Sequence, residues 1–73
     1  MLLEPNMKTQ TENLIHMANQ IAHNNGHWPT ETECVDRVTQ HIKRFWAPSM
    51  IEKLKAQPPE QIAPFAQKAL EQL

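Results

Sequence analysis

The stretch that decides the fold of this chain is Gln40-His41-Ile42-Lys43-Arg44-Phe45-Trp46-Ala47-Pro48-Ser49-Met50. It combines the densest apolar mass of the sequence with a residue that stops a helix. Pro48 has no backbone N–H and disfavours the α conformation at Ala47, so a helix arriving from the N-terminal side is predicted to end near Trp46 or Ala47. Pro48 can then begin a new helix, where its missing N–H costs nothing. The pair Phe45 and Trp46 is therefore expected at a corner between two helices.

The two aromatic residues are expected to differ in burial, because adjacent residues on a helix point about 100° apart. Trp46 lies closer to Ile42 in the apolar stripe of its helix, so we expect it to be buried. Phe45 is expected to keep an exposed edge, flanked by His41 and Met50, and to contact a partner. Aromatic residues at helical spacing are usually core, so a purely structural corner is the alternative.

Capping signals on the N-terminal side of this stretch predict two more helix boundaries. Thr9 with Glu12, and Thr30 with Glu33, have the spacing of a capping box, in which two side chains satisfy free N–H groups at a helix start. The first helix is expected to end at Asn24-Asn25-Gly26, with Asn25 or Gly26 in the left-handed conformation.

Prolines delimit the C-terminal helices. The third helix is predicted from Pro48 to about Gln57, where Pro58-Pro59 ends it, and the fourth begins near Ile62 or Pro64 after a turn. No run alternates with period two, so the sequence predicts an all-α fold, a small bundle of three to four short amphipathic helices. Their apolar stripes consist of Leu14, Ala18, Ile21, Ala22, Val35, Val38, Ile42, Phe45, Trp46, Met50, Ile51, Leu54, Ile62, Phe65, Ala66, Ala69, Leu70 and Leu73.

Length and composition indicate one small domain without the disulfides that often stabilise domains of this size. The 73 residues are divided into a flexible N-terminal arm, residues 1–8, and a single helical domain, residues 9–73. One cysteine, Cys34, allows no intrachain disulfide and favours a reducing compartment. No apolar run approaches the roughly 20 residues of a membrane span, and the N-terminus lacks a signal-peptide pattern, so we expect a cytoplasmic protein. A core this thin favours completion by a partner chain.

Residue spacing argues against a metal site or a catalytic site. His16 and His23, like Cys34 and His41, are seven residues apart, which is about 10 Å along a helix, whereas metal–ligand bonds are about 2 Å long. Cys34 lies on the flank of an apolar stripe, as a small hydrophobic residue does, and Ser49 follows a proline at a helix start. The single glycine excludes a Gly-rich phosphate loop. We expect no catalytic, cofactor-binding or metal-ligating residue, and hence a non-enzyme.

A basic face on the second helix leaves one alternative function. Arg37, Gln40, Lys43 and Arg44 could form part of a small helical nucleic-acid-binding regulator. Acidic residues share that helix, and the net charge of −1 gives no electrostatic steering towards nucleic acid. A solvated charged face is the simpler interpretation.

Three stretches carry a resemblance to a known family. Leu14-Ile15-His16-Met17-Ala18-Asn19-Gln20-Ile21 resembles the first-helix signature of the delta subunit of NAD-dependent, molybdenum-containing formate dehydrogenases. Phe45-Trp46-Ala47-Pro48-Ser49-Met50, preceded by His41-Ile42, resembles its second block. Ile62-Ala63-Pro64 before a short helix ending in Leu70 and Leu73 also fits. The resemblance extends over nearly all of residues 14–73.

The resemblance implies a non-catalytic accessory subunit that supports assembly or stability of a cytoplasmic formate dehydrogenase complex. The expected partner is the molybdenum-containing alpha subunit with the rest of its complex. This chain would bind no cofactor, while the complex carries a bis-molybdopterin guanine dinucleotide centre, iron–sulfur clusters and FMN, and uses NAD. Soft or large side chains suit an interface. The candidate partner-binding residues are Met17, Asn19, Gln20, His41, Phe45, Trp46, Pro48 and Met50.

Overall fold

Residues 9–73 are described by a computed structural model and form four α-helices joined by short links. The elements are α1 (Gln10–Asn24), α2 (Glu31–Phe45), α3 (Pro48–Lys55), a 3-10 turn (Pro59–Gln61) and α4 (Pro64–Glu71). That part of the chain contains no strand. The all-α prediction is therefore confirmed, with helix ends near Gly26, Ala47 and Pro58 as expected. The predicted arm, residues 1–8, lies outside the described residues.

The helix starts follow the capping and proline signals. At α1 the capping box is complete, because the Glu12 N–H donates to Thr9 Oγ1 at 3.1 Å and the Thr9 N–H donates to Glu12 Oε1 at 3.0 Å. At α2 only half of the box forms, with the Glu33 N–H donating to Thr30 Oγ1 at 3.1 Å. Helices α3 and α4 have no side-chain cap and instead begin with a proline.

The end of α1 differs from the prediction. Asn25 has φ −110° and ψ 18°, and no residue from Thr9 to Leu73 has a positive φ, so the expected left-handed cap was wrong. The Asn25 side chain replaces it: Nδ2 donates to the Ile21 carbonyl at 2.9 Å, and Oδ1 accepts from Trp28 Nε1 at 3.3 Å. The Ile21 carbonyl also accepts from the Asn25 backbone N–H at 3.1 Å, and the Gly26 N–H donates to the His23 carbonyl at 3.2 Å, so backbone and side chain together satisfy the carbonyls at this helix end without a left-handed residue.

All four helices contribute to one hydrophobic core. Helix α2 packs on α1 and α4, and α1 also contacts α3 and α4. The only buried polar residue of residues 9–73 is Thr39, whose hydroxyl donates to the Val35 carbonyl at 2.8 Å. The core cluster consists of Leu14, Ala18, Ala22, Val35, Val38, Ile42, Trp46, Leu54, Ile62, Ala66, Ala69 and Leu70.

Amide side chains hold the irregular link between α3 and α4. Asn19 Oδ1 accepts from the Ala63 N–H at 2.8 Å, and Asn19 Nδ2 donates to the Gln61 carbonyl at 3.0 Å. Gln67 Nε2 donates to the carbonyls of Pro59 and Ile62 at 2.6 and 2.7 Å. The Pro59 carbonyl also accepts from the Ile62 N–H at 2.9 Å, whereas the other three backbone groups lie outside the helical hydrogen-bond ladders, and the side-chain bonds fix the link against α1 and α4.

Candidate functional site

The corner between α2 and α3 places its two aromatic residues in opposite environments. Trp46 is only 6% exposed, whereas Phe45 is 67% exposed. Phe45 is the last residue of α2, and Trp46, at φ −100° and ψ 140°, has already left the helical conformation while its N–H still donates to the Ile42 carbonyl at 2.9 Å. The predicted difference in burial is confirmed.

Exposed apolar surface is concentrated beside this corner. Phe45 and Met17, which is 41% exposed, are the only exposed large hydrophobic residues between Thr9 and Leu73. Both line the same groove, although they belong to different helices. Single exposed apolar residues are common on proteins, whereas neighbouring ones form a patch that suits a partner.

We call this feature the corner groove; it lies between α1, the end of α2 and the start of α3. It encloses about 390 Å³. Trp46 is its buried base, Ile21 and Met50 are partly buried, and the polar side chains at its edge carry no carboxylate. The lining residues are Met17, Gln20, Ile21, Asn24, His41, Phe45, Trp46 and Met50.

Contacts between rings, and between a guanidinium and a ring, restrain the side chains of α2 at the groove and beside it. His41 lies one helical turn before Phe45, and their ring centroids are 5.0 Å apart with the planes tilted by 50°. Further along the same helix the Arg37 guanidinium lies 4.1 Å from the centroid of the Trp28 ring, and Trp28 lies 4.8 Å from the His27 ring. Such contacts restrict where these side chains point.

The structure brings together six of the eight residues that the sequence selected for partner binding. Met17, Gln20, His41, Phe45, Trp46 and Met50 all line the corner groove. Pro48 begins α3 and lines a neighbouring groove with Lys43 and Trp46 instead. Asn19 faces the α3–α4 link, where it makes the two bonds described above. Contact with a partner remains a prediction for all eight.

Two lining residues were missed as site residues by the sequence reasoning. Ile21 had been assigned to the core and Asn24 to the helix end. With Met17 and Gln20 they have the spacing i, i+3, i+4 and i+7, which places all four on one face of α1. Because Met17 and Gln20 were already selected, this spacing could have indicated from the sequence that Ile21 and Asn24 share their face of α1.

A second groove, larger at about 540 Å³, lies between the end of α1 and the start of α4. Its aromatic residue, Phe65, is partly buried, and its edge includes His23 and His27. Neither of the two exposed large hydrophobic residues lines it. Size alone therefore favours this groove, while exposed apolar surface favours the corner groove, and we take the latter as the better indicator of a docking site.

The side chains that the sequence offered as metal ligands or nucleophiles are dispersed over the part of the chain that the structure describes. In residues 9–73 no three His, Cys, Asp or Glu side chains are close enough to hold a metal ion. Cys34 is buried, and its Sγ–H donates to the Trp28 carbonyl at 3.6 Å. Ser49 is exposed in the first turn of α3. Within the same part of the chain, no helix is both long enough and apolar enough to cross a membrane.

The basic face of α2 is solvent-exposed. Arg37, Gln40, Lys43 and Arg44 all lie there, and Arg37 is already stacked on Trp28. Asp36 is exposed on the same helix beside Arg37. No feature of this face favours nucleic acid over solvent.

Fold and groove together define a class: a small protein that is all-α over residues 9–73 and whose two exposed large hydrophobic residues in that range line the same groove between helices. Comparison with known protein families matches residues 13–70 to the family described as NADH-dependent formate dehydrogenase delta subunit FdsD. This match spans most of the 73-residue chain, and the chain belongs to that family. The predicted resemblance is thereby confirmed. Comparison with curated proteins gave no significant match, and comparison with solved structures gave none either.

Proposed function

We propose that this chain is a non-catalytic accessory subunit of a cytoplasmic, NAD-dependent formate dehydrogenase. It would support assembly or stability of the molybdenum-containing alpha subunit by binding it directly. Family membership over residues 13–70 supports the assignment to that enzyme. The observation that carries the binding role is the exposure of Phe45 beside Met17 at the corner groove.

The cofactors of the reaction belong, in this proposal, to the other subunits. The complex would carry a bis-molybdopterin guanine dinucleotide centre, iron–sulfur clusters and FMN, and would reduce NAD. The delta chain would hold none of them. In residues 9–73 no three His, Cys, Asp or Glu side chains are close enough to hold a metal ion, which supports this division of roles for the iron–sulfur clusters alone.

Co-production of the tagged chain with the other subunits tests the proposal. We expect the alpha subunit to be captured with the parent chain, and lysates lacking the chain to contain less assembled enzyme and less formate-dependent NAD reduction. Phe45→Ala should reduce capture, while Gln40→Ala, an exposed change elsewhere on α2, should not. Equal amounts of assembled, active enzyme with and without the chain would contradict the assembly role.

A nucleic-acid-binding regulator is the competing function, and no structural observation favours it. The same preparation distinguishes the two. A regulator would bind duplex DNA with an affinity that falls steeply as salt rises and would leave formate dehydrogenase unaffected. The accessory subunit would show no such binding to duplex DNA, and its removal would lower the amount of assembled formate dehydrogenase.

A further inference from the structure

We propose that the corner groove seats an acidic amphipathic helix of the large formate dehydrogenase subunit. In this arrangement one apolar side chain of the helix lies against Phe45 and Met17, and its carboxylates face Arg37 and Arg44. The inference rests on the proposed function, and adds to it the chemistry of the partner segment. Shape, charge and side-chain type at the groove each contribute to it.

The shape of the groove suits a helix. Its α1 wall consists of Met17, Gln20, Ile21 and Asn24, which extend over two helical turns, or about 10 Å. The opposite wall is formed by His41 and Phe45, one turn apart on α2. A channel walled by two helices and open to solvent accepts an amphipathic helix with its apolar face down, anchored by residues one or two turns apart.

Charge is segregated around the groove. Residues 13–30 and 37–51, which contain every lining residue, include no Asp or Glu. The same two segments contain all four histidines together with Arg37, Lys43 and Arg44. Because the whole chain carries more Asp and Glu than Lys and Arg, this absence of carboxylates is local. An approaching acidic segment would meet no like charge along these two segments, and a basic one would find no counterion.

Two arginines are placed to meet the carboxylates. Arg37 and Arg44 are seven residues apart on α2, so they share one face about 10 Å apart, and they are next to the ridge formed by His41 and Phe45. The Arg37 guanidinium carbon lies 4.1 Å from the centroid of the Trp28 ring, and the side chain is exposed, so the guanidinium is accessible to a carboxylate. Carboxylates about two turns apart on the partner helix would match this spacing.

The side-chain types at the groove favour protein over nucleic acid. Single-stranded nucleic acid binds through successive aromatic platforms on which bases stack. Phe45 is the only exposed large aromatic ring of the groove, and the remaining apolar lining consists of Met17, Ile21, Met50 and the buried Trp46. Aliphatic and thioether groups adapt to the side chains of a partner helix.

Charge reversal at Arg44 tests the inference, with Lys55 as a matched control. Both residues are exposed and basic and lie in the last turn of a helix, so Arg44→Glu and Lys55→Glu alter net charge and helix-dipole interaction alike. Neither residue lines the corner groove, but Arg44 directly precedes Phe45, which does, whereas Lys55 lies at the far end of α3 from the lining residue Met50. In full-chain capture of the large subunit, we expect Arg44→Glu to weaken binding about tenfold or more at low salt, and Lys55→Glu to leave it unchanged. Equal effects of the two variants would overturn the inference.

A charge-preserving variant identifies the partner groups. Arg44→Lys keeps the positive charge and introduces a primary amine, so it should retain capture and form a carbodiimide cross-link to an Asp or Glu of the large subunit. The Lys68–Glu31 ion pair within the chain provides an internal control for the coupling reaction. Mass spectrometry should place the cross-link in an acidic segment of helical pattern. A cross-link to a basic segment, or none while the control pair couples, would contradict the inference.

The remaining outcomes separate the inference from the proposed function. If the parent chain captures the large subunit and Arg44→Glu captures it equally well, only the inference fails. If the parent chain captures no large subunit, both fail. Preferential binding of the parent chain to a single-stranded oligonucleotide, or self-association that is lost in Phe45→Ala, would assign the groove to a different occupant and overturn the inference.

Discussion

At the residue scale, two adjacent residues of the corner groove differ in burial: Trp46 belongs to the core, and Phe45 is exposed to solvent. Helix α2 ends between Phe45 and Trp46, so the two side chains do not follow the same helical rotation. Trp46 turns into the core in an extended conformation, while Phe45 stays in the last helical turn and stacks beside His41. Pro48 fixes this geometry because it prevents α2 from continuing.

The corner predicts different consequences for two truncations. Trp46→Ala should lower the free energy of unfolding by about 3–5 kcal/mol, because it leaves a large cavity in a core to which every helix contributes. A loss of that size is comparable to the whole stability of a small domain. Phe45→Ala should leave the helical circular dichroism signal and the thermal midpoint nearly unchanged. If Phe45→Ala unfolds the chain as readily, Phe45 belongs to the core.

Asn19 provides a second prediction at this scale. Asn19→Ala removes the acceptor of the Ala63 N–H and the donor to the Gln61 carbonyl, and should lower the free energy of unfolding by about 1–3 kcal/mol. Asn13→Ala is the matched control, an exposed asparagine of the same helix, and should change stability by less than about 0.5 kcal/mol. Urea denaturation of both variants measures the difference. Equal midpoints would show that Asn19 does not hold the α3–α4 link.

At the element scale, the sequence was most informative where a boundary depends on neighbouring residues. Thr9 with Glu12 and the prolines at 48 and 64 set helix starts through contacts a few residues long, and these predictions are confirmed. The bonds from Asn19 span more than 40 residues, so they depend on a tertiary arrangement that no local pattern shows. The corner groove was predictable in part: six of its eight lining residues were selected from the sequence. The spacing from Met17 places Ile21 and Asn24 on the same face of α1, but which face of α1 lies beside the end of α2 depends on tertiary packing.

The corrected end of α1 leads to a prediction about its glycine. Gly26 has no positive φ, and a Cβ built on it would lie 3.5 Å from the carbonyl oxygens of Ala22 and His23, which is ordinary contact. Gly26→Ala should therefore raise the free energy of unfolding by about 0.4–1 kcal/mol, by restricting the unfolded chain. Asn25→Ala, which removes the observed side-chain cap, should lower it. A clear loss of stability in Gly26→Ala would contradict this expectation and would indicate that Gly26 adopts the left-handed conformation in solution.

At the scale of the whole molecule, stability and binding share the same small core. Trp46, Ile21 and Met50 belong to the core or pack against it, and they also line the corner groove. A partner that binds only the folded chain stabilises it by mass action, by about 2.7 kcal/mol at a free concentration of 100 times the Kd. Binding at this groove would therefore stabilise the helices that form it as well as join two chains.

Hydrogen exchange of the free chain and of the complex tests where that binding occurs. Amides that exchange only through global unfolding should slow by one common factor in every helix, because the partner stabilises the folded state as a whole. Amides that exchange through local fraying should gain extra protection only beneath the partner. We expect that excess protection in residues 17–24 and 41–50, which form the walls of the corner groove, and none in α4. Mass spectrometry of peptic fragments separates these segments, and excess protection confined to α4 and the 3-10 turn would place the interface away from the corner groove.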